Sequence, residues 1–200
     1  DVEKQIQAKL KNAGEKKLTE AFIKKNTDNE CKTKAEYEKH VREQLEKDKK
    51  NSVGSELLSK VSGDSKLKKT PKLQLKAAKK DVEQNYEQMA SQYGMDVDRL
   101  IKAYGMDEKS YQAMVKNSAK ESVKLHLVAH AIAKEEGIRL SSSDYDQRLK
   151  EFKESTGLSE KQFKKQAGSS YEDYAKENNF EEYFFQEKVG QFLVDKATAK

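Results

Sequence analysis

The phrase Tyr-Gly-Met-Asp occurs twice in close succession, at Tyr93-Gly94-Met95-Asp96 and at Tyr104-Gly105-Met106-Asp107. Each copy reads as a helix stop followed at once by a helix start. Glycine just past a helix adopts the left-handed conformation without a Cβ clash. The aspartate two residues later can cap the next helix by accepting a backbone N–H. A short helix, Val97 to Tyr104, is therefore pinched between two long ones, which predicts a helical hairpin with a blunt, structured tip. All four methionines, Met89, Met95, Met106 and Met114, fall in this hairpin beside Tyr86, Tyr93, Tyr104 and Tyr111. Methionine fills irregular shapes and tyrosine joins an apolar body to a polar end. Both suit a surface for variable apolar partners.

A purely structural reading fits some of the same residues. Met95 with Leu100, and Met106 with Tyr111, occupy the positions of a hydrophobic staple, which fixes helix entry and needs no partner. Both readings stand for Met95 and Met106. The staple accounts less well for Met89, Met114 and Tyr86.

Composition bounds the rest. Charged residues make up 38% of the 200 and apolar ones 34%, low for a compact globule. Leu, Ile, Val and Phe together fall just under the roughly 20% that flags disorder, but that flag also needs high net charge. Here the net charge is only +5, and apolar residues keep helical spacing along most of the chain. One proline in the whole sequence agrees with long helices. The expectation is an all-α protein, elongated, with much surface and a thin core. Charge is uneven: residues 1–80 hold 22 Lys/Arg against 13 Asp/Glu, and residues 81–200 hold 18 against 22. A basic half could meet nucleic acid, but its lysines are interleaved with acids, as on a solvated helix surface. The single cysteine, Cys31, excludes an internal disulfide and fits a reducing compartment. No apolar run approaches a membrane span, and none reads as a signal peptide. The chain opens on Asp1, so a processed protein or an excised fragment is expected.

Residues 1–13 read as a weak helix ending at Gly14, and Leu18 to Lys25 as a second. Thr33 and Glu36 form a capping box opening a helix that reaches about Val61. The stretch from Glu46 to Ser52 is wholly polar and is expected to cross open space or pack lightly. Ser62 to Ser65 is a hinge candidate, and Thr70-Pro71 reads as a cap followed by the first helical position. The next helix carries Leu75, Val82, Tyr86, Met89 and Tyr93 on one face. After the tip a helix returns from Glu108 to Glu136, ~45 Å long at 1.5 Å per residue. Ile138 to Leu140 is the one short strand candidate. Ser141–Ser143, Ser159 with Gln162, and Ser169 with Glu172 open three further helices. The last, Asn179 to Ala197, is the most aromatic and is expected in the core.

No enzyme signature is present: no phosphate-binding glycine loop, no Cys-x-x-Cys and no Gly-x-Ser-x-Gly. No catalytic residue is assigned. His126 and His130 are spaced four apart, as metal ligands on a helix can be, but the surrounding segment is apolar and the zinc-protease glutamate is missing. They read as core-edge histidines, so no metal and no cofactor are expected. Cys31 reads as an incidental loop residue and His40 as a surface one.

The segments Leu18-Thr19-Glu20-Ala21-Phe22-Ile23-Lys24-Lys25-Asn26 and Tyr37-Glu38-Lys39-His40-Val41-Arg42-Glu43-Gln44-Leu45 resemble the start of the C-terminal domain of bacterial trigger factor. So does Ala90-Ser91-Gln92-Tyr93-Gly94-Met95 with its returning helix. Lys188-Val189-Gly190-Gln191-Phe192-Leu193-Val194-Asp195 fits that family's last body helix. The resemblance covers about residues 18–197 and leaves 1–17 as an extension or linker helix. It implies two helical arms, about 71–120 and 141–178, on a body from 34–61, 121–136 and 179–197, a fold similar to the core of the periplasmic chaperone SurA. It also implies a holdase that cradles unfolded or nascent chains without ATP, cytoplasmic or, alternatively, exported to the cell envelope. The family's ribosome-docking signature and prolyl-isomerase strands do not occur here, so neither activity is expected.

Client contact in that family is diffuse, so the candidate client-binding residues rest on Met and aromatic positions of the arms. They are Tyr86, Met89, Tyr93, Met95, Leu100, Tyr104, Met106, Tyr111 and Met114 of the first arm, with Phe163, Tyr171 and Tyr174 of the second. Two alternatives stay open: an adaptor with one specific protein partner, and a basic-surface nucleic-acid or ribosome binder. Nucleic acid is the less expected partner, and open arms could clasp a second copy in a homodimer.

Overall fold

A computed structural model describes residues 2–27 and 29–198. Among these residues there are ten helices and no strand: α1 Val2–Asn12, α2 Glu20–Asn26, α3 Lys34–Asp64, α4 Lys72–Gln92, α5 Val97–Ala103, α6 Glu108–Glu136, α7 Ser142–Thr156, α8 Glu160–Ala167, α9 Tyr171–Glu177 and α10 Phe180–Thr198. The strand candidate at Ile138 to Leu140 is irregular backbone. No described helix is long and apolar enough to cross a membrane.

Most helix starts are set by local side chains. Thr19 accepts from the Phe22 N–H at 3.2 Å to open α2. In the Thr33/Glu36 box the Glu36 N–H reaches Thr33 Oγ1 at 3.2 Å and the Thr33 N–H reaches Glu36 Oε2 at 3.0 Å. Ser141 with Asp144 and Ser159 with Gln162 make the boxes of α7 and α8. Three starts and stops differ from the sequence expectation. Helix α9 is capped by Ser170, which takes the Asp173 N–H at 3.1 Å, one residue later than Ser169; adjacent serines offer the same chemistry, and an acid follows each at the same interval. Pro71 is itself the cap of α4, because its ψ of 125° is still extended. The hinge candidate is helical through Asp64, since Ser65 closes the last turn with bonds to Val61 and Ser62 carbonyls.

The described chain forms two compact units, residues 1–57 with 137–200, and residues 58–136. In the first, Ile6 and Leu10 of α1, Phe22 and Ile23 of α2, Cys31, and Tyr37 and Val41 of α3 share one buried core. Cys31 and His40 therefore differ from their sequence reading. Cys31 is a core residue whose thiol is pushed up in pKa by burial. His40 is half-buried, stacked on Tyr37, with Nε2 3.8 Å from a Glu154 carboxylate oxygen. A second core joins Leu149, Ala175 and Phe184 with Leu140, Tyr145, Phe152 and Phe180.

Helices α3 and α10 meet with almost nothing between them. A Cβ built on Gly54 would lie 2.7 Å from the Gly190 carbonyl carbon, and one on Gly190 would lie 2.8 Å from that of Gly54. Side chains beside this crossing form a polar lattice. Asn51 Nδ2 donates to Glu187 Oε1 at 3.1 Å, Gln191 Nε2 donates to Asn51 Oδ1 at 2.6 Å, and Arg148 donates to Glu187 Oε2 through Nε at 3.0 Å. The wholly polar stretch of α3 is thus engaged: Asn51 is buried, Lys47 pairs with Glu151 and Lys50 with Asp195. Polarity in the sequence had stood for solvent, whereas here it satisfies a buried carboxylate.

In the second unit, residues 58–64 of α3 precede the hairpin of α4 and α6, with α5 at its closed end. Ile101, Tyr111 and Val115 are its buried centre, packed by Val82, Tyr86, Val97, Met106 and Met114. Tyr86 and Tyr111 meet edge to face, 5.3 Å between centroids.

The crossing gives a paired prediction. Gly54→Ala forces backbone apart and should cost about 1–3 kcal/mol. Gly63→Ala, a helical site whose Cβ meets open space, should stabilise by roughly 0.4–1 kcal/mol. Thermal melts followed by circular dichroism check both; a neutral Gly54→Ala would mean that the helices do not touch there.

Candidate functional site

Both copies of Tyr-Gly-Met-Asp fold alike. In the first, Gly94 has φ +65° and the Met95 N–H reaches back to the Ala90 carbonyl at 3.0 Å, while the Gly94 N–H bonds Ser91 at 3.0 Å. In the second, Gly105 has φ +71°, with Met106 bonded to Ile101 at 2.9 Å and Gly105 to Lys102 at 2.9 Å. These paired bonds are the Schellman ending, which satisfies carbonyls a helix terminus leaves open. Asp96 then accepts the Arg99 N–H at 2.8 Å and Asp107 accepts the Ser110 N–H at 2.7 Å. The Ser110 hydroxyl and then its N–H hold the Asp107 carboxyl below its usual pKa. Two abrupt turns are thereby fixed through backbone groups and the two aspartate caps, leaving the tyrosine and methionine side chains free to differ in role.

They do differ. Met89, Tyr93 and Tyr104 lie on the surface, at 36%, 65% and 56% exposure. Tyr93 follows Met89 by one helical turn, and the Tyr104 hydroxyl donates to Met89 Sδ at 3.6 Å, so the three form one patch. Tyr86, Met106 and Met114 are half-buried, packed on Ile101, Tyr111 and Val115; Met95 is also half-buried. Leu100 and Tyr111 are buried, and burial, then the nearby Glu83 carboxylate, push the Tyr111 hydroxyl up in pKa. Met106 and Tyr111 thus belong to one core, as a staple would have them.

The second-arm candidates lie in the other unit and face inward. Phe163 and Tyr171 are buried and stacked 3.7 Å apart. Tyr174 is half-buried, parallel to Phe152 and edge-on to Phe163 at 5.3 Å. The Tyr171 hydroxyl also donates to the Leu158 carbonyl at 3.2 Å. As folded, Leu100, Tyr111, Phe163 and Tyr171 hold the chain together and offer no free surface.

Two features escaped the sequence reading. Leu73, in the first turn of α4, is 84% exposed. Its signal was phase: it stands two residues from Leu75 and so on the far side of the apolar stripe. The other is a cleft of about 580 Å³ in the first unit, lined by Lys9, His40, Gln44, Lys47, Arg148 and Glu151 and by the rings of Phe152, Phe180, Tyr183 and Phe184. Burial lowers the Lys9 pKa, and Lys9 Nζ donates to Gln44 Oε1 at 3.2 Å. Burial and then Lys9 likewise lower that of His40. Burial opposes ionisation of Glu151, but bonds from Lys47, Gln147 and Arg148 prevail and keep its carboxyl low. Its charges are thus largely paired with one another, and its rings belong to the second core.

The division between packing and surface aromatics is testable. Tyr111→Ala should cost about 3–5 kcal/mol in denaturant unfolding, whereas Tyr93→Ala should stay within about 0.5 kcal/mol. Equal effects would mean that the tip core is wrongly placed.

Residues 32–195 match the family model described as bacterial trigger factor protein (TF) C-terminus. Among curated relatives, the trigger factor of Staphylococcus saprophyticus is 27% identical over 152 residues, covering 74% of this chain and 35% of the relative. That of Bacillus subtilis is 27% identical over 150 residues, covering 73% and 35%. That of Halothermothrix orenii is 35% identical over 68 residues, covering 34% and 16%. The chain thus spans about a third of the length of the first two. No solved structure gives a significant match. With the family model covering about four-fifths of the chain, this protein belongs to the family of the bacterial trigger factor C-terminus.

Proposed function

We propose that this chain is an ATP-independent chaperone module that holds unfolded polypeptide segments on the surface formed by Met89, Tyr93 and Tyr104. The observation that carries the proposal is that these three large side chains stand exposed together on a tip whose backbone is fixed by two Schellman endings. A rigid support lowers the entropy lost on binding, while an unbranched thioether and two rings adapt to different partners. Apolar contact is worth ~25 cal/mol per Å² removed from water, so a patch of three side chains gives weak, rapidly reversible capture. Release then needs no nucleotide, because a segment that folds simply ceases to present apolar surface. Membership of the trigger factor C-terminal family supports the same reading. No bond-making step is assigned to any residue.

The test is light scattering of a chemically unfolded client diluted into buffer without nucleotide. The chain should suppress aggregation of several unrelated clients at near-equimolar ratio. The combined variant Met89→Ser, Tyr93→Ser and Tyr104→Ser should keep its helical circular dichroism and need on the order of tenfold more protein, a loss of ~1.4 kcal/mol. Full activity in the variant would remove the tip from the proposal, and no suppression by the parent chain would overturn the chaperone reading itself.

A further inference from the structure

The second unit is electrically lopsided. Residues 65–80 hold seven lysines, Lys66, Lys68, Lys69, Lys72, Lys76, Lys79 and Lys80, and no acid, while residues 81–115 hold seven acids against Arg99, Lys102 and Lys109. Elsewhere on these helices lysine is commonly answered within one turn, as in Lys24–Glu20, Lys34–Glu38 and Lys39–Glu43. None of the seven ammonium groups makes an ion pair or a hydrogen bond among the described residues. Lys72, Lys76 and Lys80 stand four apart and therefore share one flank of α4, all exposed. Helix α4 has no acid in its first turn, so the Lys72 ammonium group sits against the positive end of the helix dipole, where cations are disfavoured. A solvated charged face normally relieves such repulsion with nearby acids, and this one does not.

Leu73 belongs to the same flank. It stands one turn before Lys76 and two turns before Lys80, next to Lys80 in helical projection, and among the described residues it is the most exposed of the large apolar ones, at 84%. An anionic partner made only of phosphates would gain nothing from that leucine, and no exposed aromatic side chain stands among the seven lysines to stack a base. A polypeptide segment carrying carboxylates beside apolar side chains would use both features at once.

We infer that the lysine flank of α4, with Leu73, is a second docking surface selecting unfolded segments in which acidic residues adjoin apolar ones. The inference rests on the chaperone reading above and adds a client class to it. The tip supplies adhesion without charge preference for anions, and the α4 flank supplies the preference. Its strength falls with salt, because the lysines are exposed.

The experiment measures anisotropy of three labelled unstructured peptides on the full chain, at low and at high salt. The peptides share one Leu- and Phe-containing centre and differ in flanks of Asp, Lys or Ser. The Asp-flanked peptide should bind on the order of tenfold tighter than the Lys-flanked one at low salt, and high salt should erase the difference. The variant Lys72→Gln, Lys76→Gln, Lys79→Gln and Lys80→Gln, which retains helix propensity, should lose that preference and still bind the Ser-flanked peptide. Leu73→Ser should weaken the Asp-flanked peptide several-fold and leave polyuridylate binding unmoved. Equal affinity for Asp and Lys flanks, with the Ser-flanked peptide still bound, overturns this inference and leaves the chaperone reading intact. Binding of none of the three overturns the chaperone reading. Polyuridylate that binds tighter than the Asp-flanked peptide, with Leu73→Ser without effect on either, overturns the assignment in favour of nucleic acid.

Discussion

The contact of Gly54 with Gly190 organises the first unit. Helices normally pack 8–10 Å apart because side chains separate them. Here two glycines remove that separation, and each backbone occupies the space a Cβ on the other would need. Close approach has a chemical consequence: it brings the side chains one turn away, Asn51 on α3 and Glu187 on α10, within direct hydrogen-bond reach. Arg148 then closes the lattice from α7. A buried carboxylate is tolerable only when fully partnered, and such a lattice is satisfied in one register alone. The glycines set the distance and the polar groups set the register, so the aromatic core of α7, α9 and α10 is built on a fixed frame.

The same division of labour appears at the hairpin tip, where it separates the groups that form the turns from the side chains left exposed. Schellman bonds and aspartate caps use the backbone, so two sharp turns are achieved without committing the side chains of Tyr93, Tyr104 and Met89. Tyr111, Ile101 and Val115 supply the packing that keeps α5 seated. A loop of comparable length could display the same three residues, but it would lose conformational freedom on each binding event. A tip that is already ordered loses little.

What the sequence could and could not announce follows range of interaction. Capping boxes at Thr33 and Ser159, the helix start at Ser141–Ser143, and both glycine stops of the tip are interactions within a few residues and were legible. Where two local solutions are chemically alike, as at Ser169 and Ser170, nothing local distinguishes them, and the start of α9 was missed by one residue. Nothing within a few residues of Gly54 points to its role, because the reason for it lies on α10. The polar stretch of α3 looked solvated for the same cause, since Glu187, Arg148 and Gln191 are far along the chain. Among site candidates, phase distinguished too little: Tyr86 and Tyr93 share a stripe, yet one packs beneath the tip and the other stands clear where α4 ends. Cys31 and His40 were misplaced because two weak helices, α1 and α2, turned out to cover them.

An exposed apolar patch carries a hazard as well as a use, since two tips could adhere to one another as readily as to an unfolded segment. The distribution of charge answers this. The stretch that carries the patch, residues 81–115, holds seven acids and three bases, so two such tips approach with like net charge, and that repulsion acts within the ~8–10 Å over which salt screens. An unfolded segment of mixed composition meets no such barrier, because its flexible charges can turn away. Placing the lysines instead at the start of α4 keeps the two signs apart along the hairpin. Were they interleaved around Tyr93 and Tyr104, they would pair with the acids, cancel the repulsion and bring the patches of two copies into contact. On the proposed reading, separation of charge is what keeps these apolar side chains available on a chain of small net charge.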